Sequence, residues 1–388
     1  MSKMKNGVIR RGNTWTYVVQ ETDPATGKRK PVWHGGFRTQ KEAKDARAAA
    51  VSAMSKGTYV ARRNVTVAEY LRSWIEGHAV ELKPSTAMTY RDKIEAYLIP
   101  AIGNEKVQTL SPSRLTTVFK TMAEEGGRGA VHGKSGKPLS PRTVEFARAI
   151  LRKAMQDAIV DRLIDVNPVV GSKRPKPVKP KHTTWTAEQI HVFLEAVAEQ
   201  RLYPLWALVF ATGMRRGELM ALRWGDIDLD EGVISVERSV TQLGKERVAT
   251  TPKNHERRRV AIDPAAVATL KDWRKAQATE KLACGQSWAD QEGLLFTWED
   301  GRPLQPDYVT KKFLTVQAGI EEKLPRLVVH GIRHSHATVL LRAGVPVHIV
   351  SKRLGHKDVT ITLNVYADVL PEDDDRAVDT WWKAVWGA

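Results

Sequence analysis

His330-Gly331-Ile332-Arg333, then Leu354-Gly355-His356, then Tyr366: one short C-terminal span holds two histidines, an arginine and a tyrosine. A second arginine lies upstream, in Ala211-Thr212-Gly213-Met214-Arg215-Arg216-Gly217-Glu218. A tyrosine oxygen can act as a nucleophile, guanidinium forks grip phosphate oxygens, and imidazoles move protons or donate hydrogen bonds. Together these residue types point to attack on a phosphodiester, with the bond carried over to the tyrosine. His330 and Arg333 are three apart, so on a helix they share a face. Arg215 precedes Gly-Glu-Leu-Met-Ala-Leu, which reads as a helix start, where free amides favour an anion. Glu218, one turn on, is placed to hold Arg215.

Each residue also has a plainer reading. His334 stands four from His330, a spacing that can bind zinc. Against that, no glutamate sits where a metalloprotease helix needs one, and Arg333 inside the cluster would repel a cation. A histidine taken singly is usually a satisfied structural one. Free tyrosine has a pKa of about 10, so a lone Tyr366 more often packs than reacts.

Composition favours a polyanionic partner. Lys plus Arg number 61 against 44 Asp plus Glu, a net +17 and a pI near 9.8. A basic protein with no nucleic-acid role is the bland alternative. The single cysteine, Cys284, allows no intrachain disulfide and no Cys-based zinc site, which suits a reducing cytosol. No apolar run is long enough to span a bilayer and no signal-peptide core opens the chain, so a cytoplasmic location and no membrane partner are expected.

Taken in order, residues 1–63 hold fourteen Lys and Arg against four Asp and Glu, a net +10. Gly7–Arg11, Trp15–Gln20 and Arg29–His34 read as strands, joined by turns at Gly12-Asn13 and Asp23–Gly27. Thr39 with Glu42 opens a helix running to about Met54. A basic three-stranded sheet backed by a helix is a plausible groove reader, with Arg10, Arg11, Lys28, Arg29 and Lys30 as candidate DNA contacts. A meander that merely packs on its neighbour is the alternative. Residues 64–167 predict a four-helix module. Thr66 with Glu69 caps Val67–Ile75, Lys83-Pro84-Ser85 leads into Thr86–Leu98, and Pro100 with Gly103 ends that helix. Ser111-Pro112 and Ser140-Pro141 start two more, separated by the glycine-rich Gly126–Pro138 loop. The module is a DNA clamp or a plain bundle. Residues 168–183 read as a proline-rich linker, with Lys173, Arg174 and Lys176 suited to phosphates, or as an ordinary hinge. Beyond it, Thr186 caps a helix through Ala198, Pro204–Ala211 is helical, Gly232–Val240 reads as one strand pairing with Arg257–Ile262, and helices dominate to the end. Glu372–Asp375 suits a helix start, followed by an apolar stripe of Ala377, Val378, Trp381, Trp382, Val385 and Trp386.

The ordered set Thr212–Leu219, Thr251-Pro252-Lys253, His330–His334 and Leu354-Gly355-His356 with Tyr366 resembles the catalytic domain of the tyrosine recombinases, the phage integrase family. The likeness covers about 184–370; 64–167 resembles that family's core-site-binding domain and 1–63 its arm-site-binding domain. It implies a mainly helical multidomain protein with small sheets: a β3α arm domain (1–63), a four-helix core-binding domain (64–167), a basic linker (168–183) and an α+β catalytic domain (184–388), with the core site encircled by a two-domain clamp. It implies that Arg215 and Arg333 hold the scissile phosphate and that Tyr366 attacks phosphorus. Lys253, with Lys245 nearby, would protonate the leaving 5′ oxygen. His330 would take the tyrosine proton, His356 would hydrogen-bond the phosphate, and Glu218 would be structural. No metal or other cofactor is implied. The implied partners are double-stranded core and arm attachment DNA, a homotetramer, a host DNA-bending protein and an excisionase, at the bacterial nucleoid. A resolvase, a type IB topoisomerase or an inactive DNA-binding relative are the competing functions.

Overall fold

β1 (Val8–Arg11) and β2 (Thr14–Thr22) pair as an antiparallel hairpin, and β3 (Arg29–Phe37) adds to the far edge of β2. The computed structural model describes residues 7–22, 28–57, 59–126, 138–175, 183–244, 246–250, 257–320, 324–366 and 373–387, with the backbone alone at 22, 361, 364–366 and 373–377. The expected turn at 23–27 lies outside them. Helix α1 (Gln40–Ser55) opens on the anticipated capping box: the Glu42 N–H donates to Thr39 Oγ1 at 3.2 Å, and the Glu42 carboxylate accepts the Thr39 N–H. Val8, Tyr17 and Val19 bury against Ala43 and Ala50 of α1. Strand side chains alternate between faces. Arg11 and Arg29 therefore fall on the face away from α1, while Arg10 and Lys30 fall at helix-side positions. The same free face carries Trp33, with the Arg11 guanidinium carbon 4.3 Å from its ring centroid.

The helices that follow are α2 (Val67–His78), α3 (Pro84–Lys93), α4 (Ile99–Ile102), α5 (Pro112–Glu124) and α6 (Pro141–Val160). Thr66 and Glu69 form the expected capping box, and Ser111 and Ser140 accept the Arg114 and Thr143 N–H groups. The helical run passes Pro100 and ends at Gly103, so the expected stop holds at the glycine and not at the proline. One π turn, Ile94–Leu98, joins α3 to α4, and the Ile99 N–H reaches back to Ile94 O. Inserting that wider turn lets the helix carry its proline, which lacks an N–H, on to Ile102. Val144, Ala147, Ile150, Leu151, Ala154, Met155 and Ala158 are all buried, as their spacing requires. The glycine-rich loop, 127–137, lies outside the described residues.

The basic segment does not begin as a free linker at Pro168. Val169 is fully buried with the helical core, the Lys173 N–H donates to Thr116 Oγ1 at 2.9 Å, and Arg174 pairs with Glu145. Lys176 lies outside the described residues.

The chain divides into two units, Met1–Lys179 and Pro180–Ala388. The second contains α7 (Ala187–Ala196), α8 (Tyr203–Thr212), α9 (Arg216–Leu219), β4 (Ile227–Asp228), β5 (Val233–Val236), β6 (Ser239–Leu243), β7 (Glu246–Thr250) and β8 (Arg258–Ala261). Then come α10 (Pro264–Cys284), α11 (Pro306–Ala318), α12 (Val329–Arg342), α13 (Val347–Leu354), α14 (Val359–Tyr366) and α15 (Asp373–Trp386). The run expected as one strand, Gly232–Val240, is two. β5 lies between β4 and β8, whereas β6 turns away and pairs with β7 alone. Arg238, at the break, is drawn off the strand line to Asp226. Trp185, Phe193, Trp206, Phe210 and Phe313 form the aromatic centre, with ring centroids 5.3–6.0 Å apart. The Trp185 N–H donates to Ser335 Oγ at 2.8 Å, which seats α12 against that centre.

Candidate active site

Helix α8 ends at Gly213, whose φ of 60° is left-handed. A Cβ there would meet His336 Cδ2 at 2.8 Å and Leu354 Cδ2 at 2.9 Å, so only glycine lets this turn press against α12 and α13. The chain then places Arg215 just before α9. Its backbone N–H donates to Glu218 Oε2 at 3.1 Å, and its Nη1 to Oε1 at 2.9 Å. The expected holding of Arg215 by Glu218 is present.

Arg333 is 3% exposed. Its Nη1 donates to Gly213 O at 3.0 Å and its Nη2 to Leu354 O at 2.6 Å. Arg215 Nη2 donates to the next carbonyl, Gly355 O, at 2.9 Å. The preceding carbonyl, Arg353 O, accepts Arg258 Nε at 3.0 Å. Three consecutive carbonyls at the end of α13 thus each receive one arginine. A helix C-terminus leaves such carbonyls unpaired and partly negative, so it gathers cations. Gly355, at φ 67°, makes the turn possible, and a Cβ on it would crowd Arg258 at 3.1 Å.

His356 follows that turn. Its Nδ1 lies 2.8 Å from Thr362 Oγ1 of α14. Burial, then Arg333, Arg215, His330 and Arg258, hold it at about 4, well below the ordinary imidazole value. It is therefore neutral near pH 7 and able to donate one N–H. His330 is exposed at the start of α12, edge-on to His334 with ring centroids 4.9 Å apart. Among the described residues no group of three or more His, Cys, Asp or Glu is arranged to hold a metal ion. Tyr366 is the last residue of α14, four positions after Thr362. Its side chain, and Lys253 and Lys245 entirely, lie outside the described residues.

Three residues of this network are not evident from the motifs. Arg258 forks onto Glu218, at 3.1 and 2.6 Å. Arg353 Nη2 donates to Ala211 O at 2.8 Å, and its Nε to His336 Nε2 at 3.1 Å. His336 Nδ1 lies 2.8 Å from Phe210 O. Burial and then Arg353 hold His336 at about 4, so it stays neutral and can accept from Arg353.

The profile of the Phage integrase family matches residues 184–373. An Arm DNA-binding domain matches 8–50, and the N-terminal SAM-like domain of phage integrases matches 66–122. A tyrosine recombinase XerC-like protein of Caldanaerobacter subterraneus subsp. tengcongensis is 28% identical over 365 residues, 88% of this chain and 89% of that protein. The fold is shared with the integrase of the Tn1549 transposon, solved with a circular intermediate DNA, at a TM-score of 0.66 and 21% identity over 81% of this chain and 99% of that one. It is shared also with a lambda integrase tetramer bound to a Holliday junction, at a TM-score of 0.55 and 18% identity over 92% of this chain and 97% of that one. With motifs, fold and family profiles in agreement, the chain belongs to the phage integrase family of tyrosine recombinases and is a site-specific DNA recombinase of integrase type.

Proposed function

We propose that the chain cleaves and rejoins attachment-site DNA through a 3′-phosphotyrosyl bond to Tyr366, to integrate and excise a mobile element. The observation that carries this reading is the pair of guanidiniums on adjacent carbonyls of the α13 turn, next to neutral His356. Arg215 and Arg333 hold the non-bridging oxygens. Tyr366 attacks phosphorus and passes its proton to His330. Lys253 protonates the departing 5′ oxygen, and the His356 N–H bonds the phosphate. Charge builds at phosphorus in the transition state, so fixed cations act most strongly there. General acid help to the leaving group contributes roughly 10²–10⁴ in rate. The phosphotyrosine keeps the energy of the broken bond, so rejoining needs no nucleotide.

Residues 1–63 read arm-type DNA; 64–167 and 184–388 bind the core site, joined by the basic 168–183 segment. The free sheet face with Arg11, Arg29 and Trp33 supports the first assignment, and Arg10, Lys28, Lys30, Lys173, Arg174 and Lys176 add phosphate contacts. The protein acts as a homotetramer, with a host DNA-bending protein and an excisionase, at the nucleoid in the bacterial cytoplasm. Among the described residues no helix is long and apolar enough to cross a membrane. Val378, Trp381, Trp382, Val385 and Trp386 are exposed on α15, which supports docking of this helix on a neighbouring protomer. Deleting 371–388 should spare binding by one protomer and impair four-protomer synapsis; normal assembly, measured by native gel, contradicts that docking.

The reaction itself is tested with a nicked duplex built from the junction at the ends of the encoding element, in excess EDTA. Wild type should form a covalent adduct, and Tyr366→Phe should bind equally well and form none. An adduct with Tyr366→Phe moves the nucleophile elsewhere. Abolition by EDTA with rescue by zinc returns the histidine cluster to a metal role. Relaxation of any supercoiled plasmid by a monomer points to a topoisomerase.

A further inference from the structure

Glu218 lies between two arginines that differ in access to solvent. Its side chain is 0% exposed, Arg258 is 8% exposed, and Arg215 is 23% exposed. Arg258 gives the carboxylate a two-pronged grip, whereas Arg215 gives it one side-chain N–H and its backbone N–H. Now remove Arg258 from the arrangement. The buried carboxylate would have Arg215 as its close cation, and in a poorly screened interior the two charges would cancel. Burial raises the carboxyl's pKa and its two arginines lower it, Arg258 before Arg215, with a net lowering. The three groups together carry one surplus positive charge, and Arg215 is the member open to solvent.

We propose that Arg258 is a positioning residue: by neutralising buried Glu218 it keeps the charge of Arg215 available to the scissile phosphate. This rests on the phosphate-holding role of Arg215 proposed above. Arg258 also holds Arg353 O and packs on Gly355, so one side chain sets both the carboxylate and the turn on which Arg215 and Arg333 rest. It stands at the first position of β8, five residues after Lys253 in the sequence.

The test uses full-length protein and two nicked duplexes. One has the natural scissile phosphate; the other has a methylphosphonate there, which removes the negative charge. Arg258→Met should slow single-turnover cleavage of the phosphate duplex roughly 100-fold, and the deficit should shrink to about threefold or less on the methylphosphonate, where Arg215 has less charge to meet. Arg258→Met with Glu218→Gln removes both members of the neutral pair. It should return phosphate cleavage to within about tenfold of wild type, and it supplies a second variant if the single one does not fold. An equal deficit on both duplexes, or no gain in the double variant, overturns the proposal and leaves Arg258 a packing role. Undiminished cleavage by Arg258→Met overturns it as well. If wild type itself forms no adduct on the phosphate duplex, it is the proposed function that has failed.

Discussion

The arginines around α13 and those on the N-terminal sheet carry the same charge in opposite settings. Arg333 is buried, Arg258 nearly so; both aim N–H groups at backbone carbonyls, and Arg258 also at Glu218. Arg11 and Arg29 stand exposed on β1 and β3, with Arg11 resting on the face of Trp33. A guanidinium fixed by the fold before substrate arrives costs nothing to reorganise at the transition state. A guanidinium in water contributes by releasing counterions from a polyanion, wherever along the backbone it lands. On the proposed function, position in the fold, more than charge, separates chemistry from attachment.

The largest effect expected from that contrast is at Arg333. Lysine is a point charge and cannot span Gly213 O and Leu354 O together. Arg333→Lys should lower single-turnover cleavage roughly 10²–10³-fold while core-site affinity changes little. Cleavage at the wild-type rate would break the comparison at its stronger end.

Next is acid sensitivity, to which the buried histidines of this network contribute. His336 binds a proton near 4 when folded and near its ordinary value of 6.5 when unfolded. The unfolded chain therefore holds more protons between those values, and stability rises with pH. The contribution is complete above about 6.5 and is lost as pH falls toward 4, roughly 3 kcal/mol over that window. His356, also held at about 4, adds a loss of similar size, so denaturant unfolding of wild type should show both, and His336→Asn should remove about half of their combined slope while lowering stability at pH 7. An unchanged slope in His336→Asn would show that His336 is not one of the groups responsible.

The smallest effects are expected on the sheet. Arg11→Ala and Arg29→Ala should each reduce the slope of log affinity against log salt on arm DNA by about 0.9. Arg10→Ala and Lys30→Ala, at helix-side positions, should change it less. Equal losses at all four would show that the sheet does not present one face to DNA.

Much of the catalytic unit was legible because its motifs are local. Arg215 and Glu218 are three apart, and Leu354-Gly355-His356 ends a helix at a glycine. Their supports were not legible in the same way. Arg258 meets Glu218 across 40 residues, and Arg353 meets Ala211 across 142. One signal was available. Arg258 shares a strand face with Val260, opposite Val236 and Ile234, so an arginine stands in line with an apolar face and demands a buried acid. Pro100 misled for a related reason: a π turn changes the register that makes proline a stop, and no local residue announces it.

Both sets of arginines can be run through one assay. Covalent adduct formation on the nicked core duplex and salt-dependent binding to arm DNA are measured for Arg333→Lys and for Arg11→Ala with Arg29→Ala. Arg333→Lys should keep the arm-site salt slope and lose the adduct. The double sheet variant should form the adduct at the wild-type rate and lose about two units of slope. Adduct formation by Arg333→Lys at the wild-type rate, or loss of core-site cleavage in the sheet variant, would contradict that separation of chemistry from attachment.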